Sequence, residues 1–208
     1  MSINNLIILV TVIISYFAMS DREKKNKLIH HPYSIKHSKE YYRLLSNGFI
    51  HGDWYHLAFN MITLYFFGGQ TETLFKLVFG AAFGSTAFII FYLSAVIFSC
   101  IPSQQKHHDN PGYGALGASG AVSAVLLISI VLNPTDLLLI MGVIPIPAWI
   151  FGIGYIWYSN RATRTQSQSN IGHDAHLYGS IYGCLVLAII YPKAYPIMVE
   201  QIIAWLPF

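Results

Sequence analysis

Five runs without a single Asp, Glu, Lys or Arg constrain this chain more than any other feature: residues 3–20, 54–71, 77–101, 137–159 and 175–192. Each is close to the ~20 residues that a helix needs to cross ~30 Å of hydrocarbon. In lipid every backbone N–H and C=O must be satisfied within the protein, so such runs fold as helices of a bundle. Composition agrees: 54% of the 208 residues are hydrophobic and 10% charged, against about 25% charged in soluble domains. A sixth run, residues 119–132, is too short to span. The helix after Ser119 therefore starts partway down the membrane, and the non-helical backbone before it must line a wet cavity or be buried in protein.

The expected fold is an all-α polytopic membrane protein, a six-transmembrane-helix bundle with a short fourth helix starting mid-membrane. Residues 1–208 form a single membrane domain, with spans at about 3–20, 54–71, 77–101, 119–132, 147–159 and 174–191. Residues 21–53 make an interfacial first loop and residues 192–208 a tail whose apolar end suits an interfacial helix. Residues 3–20 read as a retained first helix, because no basic residue precedes Leu6 and no A-x-A site follows. The second helix is expected to close at Gly68, Gly69 and Glu72, with Glu72 taking a backbone or basic partner against the helix dipole. Gly80 and Gly84 suggest close packing of the third helix. Pro145 and Pro147 should break the fifth region, leaving an extended piece up to Ile146 and a helix from there to about Ser159.

Charge gathers in one place. Residues 21–43 hold seven Lys/Arg and three acids, and their apolar members Leu28, Ile29, Tyr33 and Ile35 suit either a substructure resting on the membrane or a solvated loop. A net charge of +3, widely scattered, gives no footprint for nucleic acid. Cys100 and Cys184 lie in apolar runs and read as packing thiols rather than a disulfide or metal pair.

Reactive side chains converge on three helices. Ser119 stands at a helix start, where free N–H groups face any developing anion, and is a candidate nucleophile. His56, Asn60 and Thr63 fall within about 60° of one another on a helix. Such groups in a membrane are expensive and rarely face lipid; the plain alternative is a set of interhelical hydrogen bonds. His176, Gly179 and Gly183 share a face whose glycines admit close approach, and docking it on Ser119, Gly120 and Ser123 sets His176 beside Ser119. Asp174 points about 160° from His176, which leaves a Ser–His dyad without an acid. His51 reads as a loop hydrogen-bonder. Nucleophile, base and oxyanion donors are the parts that acyl transfer requires.

The order of motifs resembles the rhomboid family of intramembrane serine proteases: His51-x4-His56-x3-Asn60-Met61, Gly68-x3-Glu72, Gly117-Ala118-Ser119-Gly120 and Ala175-His176-x2-Gly179-x3-Gly183, with Tyr42-Arg43 at the family's aromatic-Arg pair. The likeness covers residues 43–191. It implies a Ser119 nucleophile, a His176 base, and an oxyanion hole of His56, Asn60 and the Ser119 N–H. Phe59, Trp149 and the loop before His173 fall at the family's substrate gate. Ser123 departs from the pattern, since many members carry there an aromatic that stacks on the catalytic histidine. The implied partners are transmembrane protein substrates and the lipid bilayer, with no cofactor and no metal, in a multi-pass protein of the bacterial inner membrane. The Lys/Arg bias would put loops one, three and five in the cytoplasm, while the resemblance implies the reverse orientation. Two other functions compete with an endopeptidase. One is a non-catalytic rhomboid-like protein that binds membrane clients. The other is a histidine-rich metal or ion transporter using His107, His108 and Asp109 or His173 and His176.

Overall fold

The structure, a computed structural model, describes residues 2–140, 142–165 and 173–206. Helix α1 (Ile3–Ser20) leads into three short helices of the first loop, α2 (Arg22–Leu28), α3 (Pro32–Ser38) and α4 (Arg43–Ser46). Two long helices follow, α5 (Trp54–Phe79) and α6 (Ala81–His107), and then α7 (Ser119–Leu132). A hairpin of β1 (Leu137–Ile140) and β2 (Ile144–Pro147) precedes α8 (Ala148–Thr165), α9 (His173–Ile190) and α10 (Ala194–Trp205).

Helix α7 is the hub. Every residue from Gly120 to Val131 is buried, and α5, α6, α8, α9 and α10 all pack against it. A helix apolar on all sides has no face to give to water, so the chain wraps it completely. By length and hydropathy, Ile3–Ser20 and Ala81–His107 each suffice to cross a membrane. Asp174–Ile190 and Ala194–Trp205 pass that test only as a pair, bent by 106° at their junction.

Helix α5 does not close at Gly68, Gly69 and Glu72; it continues to Phe79. The reason is α1. The Glu72 carboxylate accepts from the backbone N–H groups of Asn4 (2.9 Å) and Ile3 (3.2 Å) and pairs with Lys76 Nζ at 2.6 Å. It therefore caps the positive end of α1 rather than opposing its own helix dipole. Gly68 makes room for the Asn4 side chain, which donates to the Leu64 carbonyl at 3.0 Å. The turn comes at Gly80, whose φ of +82° suits glycine. Gly80 thus makes no helix contact of the kind expected, whereas a Cβ on Gly84 would press on the α5 backbone at Phe75 and Lys76.

Both boundaries of α6 and of α8 also shift. Helix α6 begins at Ala81, not residue 77, and runs past residue 101 to His107. Its polar end is held by the first loop, with Gln104 donating to the Pro32 carbonyl at 3.2 Å and its Oε1 facing His30 Nε2 at 3.2 Å. The extended piece before the fifth helix is the β1–β2 hairpin, with Leu137 paired to Pro147 and Ile140 to Ile144. Helix α8 then starts one residue after Pro147 and runs on to Thr165.

The first loop is folded, not merely solvated. Arg43 is buried, donates to the carbonyls of Asn26 (2.8 Å) and Ile29 (3.1 Å), and pairs with Glu40. Ser46 Oγ adds a bond to the Leu28 carbonyl at 2.8 Å. Both thiols are free, as their apolar setting suggested: Cys100 is buried and Cys184 half-buried.

Candidate active site

The backbone ahead of Ser119 is gripped from several sides. His30 and Ala115 form an antiparallel bridge, N–H to carbonyl in both directions at 2.8 and 3.0 Å. The Gly117 N–H donates to the Asn47 carbonyl at 3.0 Å, and Asn47 is itself fixed through Nδ2 to the carbonyls of Arg43 and Leu44. Gly117 has φ of +122°, and a Cβ there would lie 2.8 Å from His56 Nε2. Only glycine turns the chain this close to that ring. Ser119 then opens α7, with no side chain capping the helix start.

His51 holds this turn. Fully buried, it accepts at Nε2 from the Ala118 N–H (3.4 Å) and meets Ser15 Oγ at Nδ1 (2.9 Å). Acceptance at Nε2 assigns the proton to Nδ1, so Nδ1–H donates to Ser15 and Ser15 donates onward to the Phe49 carbonyl at 3.0 Å. Burial, aided by His56, pushes the His51 imidazole down to about 3, so it stays neutral. The loop hydrogen-bonder expected from sequence thus ties α1 to the turn before Ser119.

His56 packs edge-on against His51, 4.9 Å between centroids. One turn along, Asn60 is buried and donates from Nδ2 to the His56 carbonyl at 2.9 Å, leaving its second N–H. Thr63, the third member of that face, bonds back to the Phe59 carbonyl at 2.8 Å and is half-buried.

Helix α9 meets α7 through its glycines. A Cβ on Gly179 would overlap the Gly120 backbone, and one on Gly183 the Ala124 backbone, 2.8 Å from its Cα. The partners are Gly120 and Ala124, not Ser123 as the spacing suggested. Ala175 and Asp174, just before His176, line a small cavity of about 20 Å³ together with Ser119, His30, Ser103 and Tyr113, the scale of one water site.

Sequence reasoning missed Tyr155. Its ring stacks on His176, centroids 6.1 Å apart and planes 21° from parallel, and its hydroxyl meets Ser123 Oγ at 2.6 Å. No spacing rule links α8 to either partner, so only the packed bundle reveals it. Of the gate candidates, Phe59 is exposed on α5, while Trp149 lies in the first turn of α8 with its backbone N–H bonded to the Pro134 carbonyl at 2.9 Å. The loop before His173 lies outside the described residues, as does the His173 side chain.

The histidine cluster at the end of α6 is engaged elsewhere. Asp109 pairs with Lys36 (2.7 Å), His108 (3.0 Å) and His37 (3.4 Å), while His107 stacks on Tyr113 at 3.8 Å. These contacts fasten the first loop to the segment before Ser119.

Known proteins are similar to this chain over most of its length. A family profile described as the Rhomboid domain matches residues 38–193. RHOMBOID-like protein 12, mitochondrial, of Arabidopsis thaliana is 32% identical over 152 residues, 70% of this chain and 45% of that protein. The chain thus spans less than half the length of this curated relative. The expected bacterial inner membrane gains no support from a relative named as mitochondrial; an integral membrane protein is the statement that stands. With three quarters of its length inside the matched domain, the chain belongs to the rhomboid family.

Proposed function

We propose that the chain is an intramembrane serine endopeptidase that cleaves transmembrane protein substrates near the membrane surface. In this reading residues 1–208 form one domain of six spans, α1 and α5–α9, with the short α7 starting below the surface and the first loop resting on it. The observation that carries the reading is the glycine contact of α9 on α7. It brings the N-terminal ends of both helices together, so that Ser119, Asp174 and Ala175 line one cavity and His176 is the next residue of α9.

The chemistry follows from the residues at that end. Ser119 Oγ attacks the scissile carbonyl carbon while His176 takes its proton. The resulting oxyanion accepts hydrogen bonds from the Ser119 N–H, His56 and Asn60. The C–N bond breaks as His176 returns the proton to the leaving amine. Water then attacks the acyl-enzyme with His176 again as base. Catalytic hydrogen bonds of this kind tighten around the substrate as the reacting groups close on it. Phe59 and Trp149 serve as the substrate gate between α5 and α8. The folded first loop supports the orientation of bacterial rhomboids, since a compact unit can carry its charges to the outer side despite the Lys/Arg bias.

Fluorophosphonate labelling in detergent, run beside cleavage of a model transmembrane substrate, tests the proposal. Covalent labelling and cleavage that both vanish in Ser119→Ala, and both survive chelation, are the expected result. A well-folded protein that neither labels nor cleaves would instead be a client-binding rhomboid relative. Activity lost on chelation would favour a metal-dependent protein.

A further inference from the structure

We propose that Tyr155 is the positioning residue for the His176 ring, aimed by a hydrogen-bond relay that starts at the backbone of the nucleophile. The inference rests on the protease reading and goes beyond it, because α8 supplies none of the reacting groups in that scheme. The relay runs Tyr155 O–H to Ser123 Oγ at 2.6 Å, then Ser123 O–H to the Ser119 carbonyl at 2.7 Å. A hydroxyl has one proton to give. Donation to the carbonyl therefore fixes Ser123 as acceptor from Tyr155, and the two bonds polarise each other in the same direction.

Two packing contacts set the tyrosine's position. Gly152, three residues earlier on the same face of α8, brings that helix against Ile130 of α7, where a Cβ would lie 3.1 Å from Ile130 Cγ2. Phe151 also stacks on Tyr155, centroids 5.9 Å apart and planes 18° from parallel. The phenol ring is thus held by its hydroxyl at one point and by aromatic packing along its face. At 6.1 Å and 21°, the His176 ring lies in the offset-stacked range that aromatic pairs prefer. An imidazole on α9 is thereby registered to the carbonyl of residue 119 on α7 through a side chain of α8. Proton transfer between Ser119 and His176 needs that registration, since small displacements of a reacting group cost large factors in rate.

The test separates ring from hydroxyl. Tyr155→Leu should lower kcat by about 10–100-fold with KM within about twofold, while Tyr155→Phe, which keeps the stacking face, should restore most of that loss. Tyr155→Phe and Ser123→Ala should each cost about threefold in kcat, the scale of one interhelical hydrogen bond in a membrane, and the double mutant should be no worse than either. Additive losses in the double mutant, or a Tyr155→Leu enzyme with parental kcat, would overturn the proposal. If Tyr155→Leu does not fold by thermal melting, the Ser123→Ala and Tyr155→Phe cycle decides alone. The protease reading fails separately: the parent would then show no Ser119-dependent cleavage at all.

Discussion

Helix α5 buries polar side chains at both ends and treats them in opposite ways. Toward its C-terminus, Glu72 has both carboxylate oxygens engaged, by two α1 backbone N–H groups and Lys76. Toward its N-terminus, Asn60 has one of its two amide hydrogens committed to its own helix. Among the described residues, the His56 ring meets His51 edge-on and the turn at Gly117, with no hydrogen bond. Buried polar groups are costly in a membrane unless partnered. A saturated group such as Glu72 repays that cost as structure, by joining two helices. In the protease reading, the donors still available on Asn60 and on His56, whose ring faces the turn at Gly117, serve the substrate. The comparison separates two polar pairs that look alike in sequence, His56-x3-Asn60 and Gly68-x3-Glu72.

The sharpest way to break this contrast is at Ser119, the proposed nucleophile that the available donors are taken to serve. Ser119→Ala and His176→Ala should each abolish cleavage, and the double mutant should be no worse than either, because residues acting as a unit are grossly non-additive. Kinetics of the three variants with a model substrate check this. Losses that multiply would mean that the two residues do not act on one proton.

Next in size are the donors themselves. Asn60→Ala should lower kcat by about 10²–10³, the cost of removing one side-chain oxyanion donor, with little change in KM or melting temperature. His56→Ala should do the same. If either variant mainly lowers the melting temperature, the N-terminal end of α5 is structural like the C-terminal one, and the contrast disappears.

Much of this was readable from the residues alone, and the failures have physical causes. Charge-free runs located the main helices, and the 14-residue α7 followed from its short apolar stretch between a glycine-rich turn and Asn133. Gly179 on Gly120 was foreseeable because small residues at helical spacing mark close backbone approach. The end of α5 was not foreseeable. Gly68, Gly69 and Glu72 carry the local signature of a helix stop, and only the approach of the α1 N-terminus makes Glu72 favourable within the helix. Ser123 and Tyr155 escaped for a related reason. From spacing, Ser123 is merely small, and its hydroxyl gains a phenol partner only when α8 docks. Local signals locate helices, whereas tertiary contacts decide what their side chains do.

Acid gives a third probe, of polar groups that are partnered yet titratable. His51 and His30 are buried, and burial pushes their imidazoles down to about 3 and about 4, with Gln104 opposing the shift at His30. The unfolded chain takes up these protons near pH 6.5, so between there and pH 4 it binds more protons than the native state, and stability falls with pH. At pH 5 the cost is about 2 kcal/mol per histidine. Thermal melting at pH 7 and pH 5 should show the drop, and His51→Gln should flatten it. An unchanged slope in His51→Gln would mean that His51 is not held neutral at the turn before Ser119.

The smallest expected effect tests the saturated end of α5. Glu72→Gln keeps the shape and one good acceptor but removes the charge that faces Lys76 and the α1 N-terminus. Losing the ionic part of a charge-assisted bond, together with a helix-dipole contribution of ~0.3–1 kcal/mol, gives about 1–2 kcal/mol of destabilisation. Because the group serves α1 packing and lies some three turns of α5 beyond Asn60, kcat should remain within about twofold of the parent. The matched measurement is melting temperature beside turnover for Glu72→Gln and Asn60→Ala. The comparison holds if one variant loses stability and keeps its rate while the other does the reverse. Should Glu72→Gln lower kcat as much as Asn60→Ala with no change in melting, the carboxylate acts on the site through α1 and Ser15–His51. In that case the two ends of α5 would form one coupled network rather than a structural end and a chemical end.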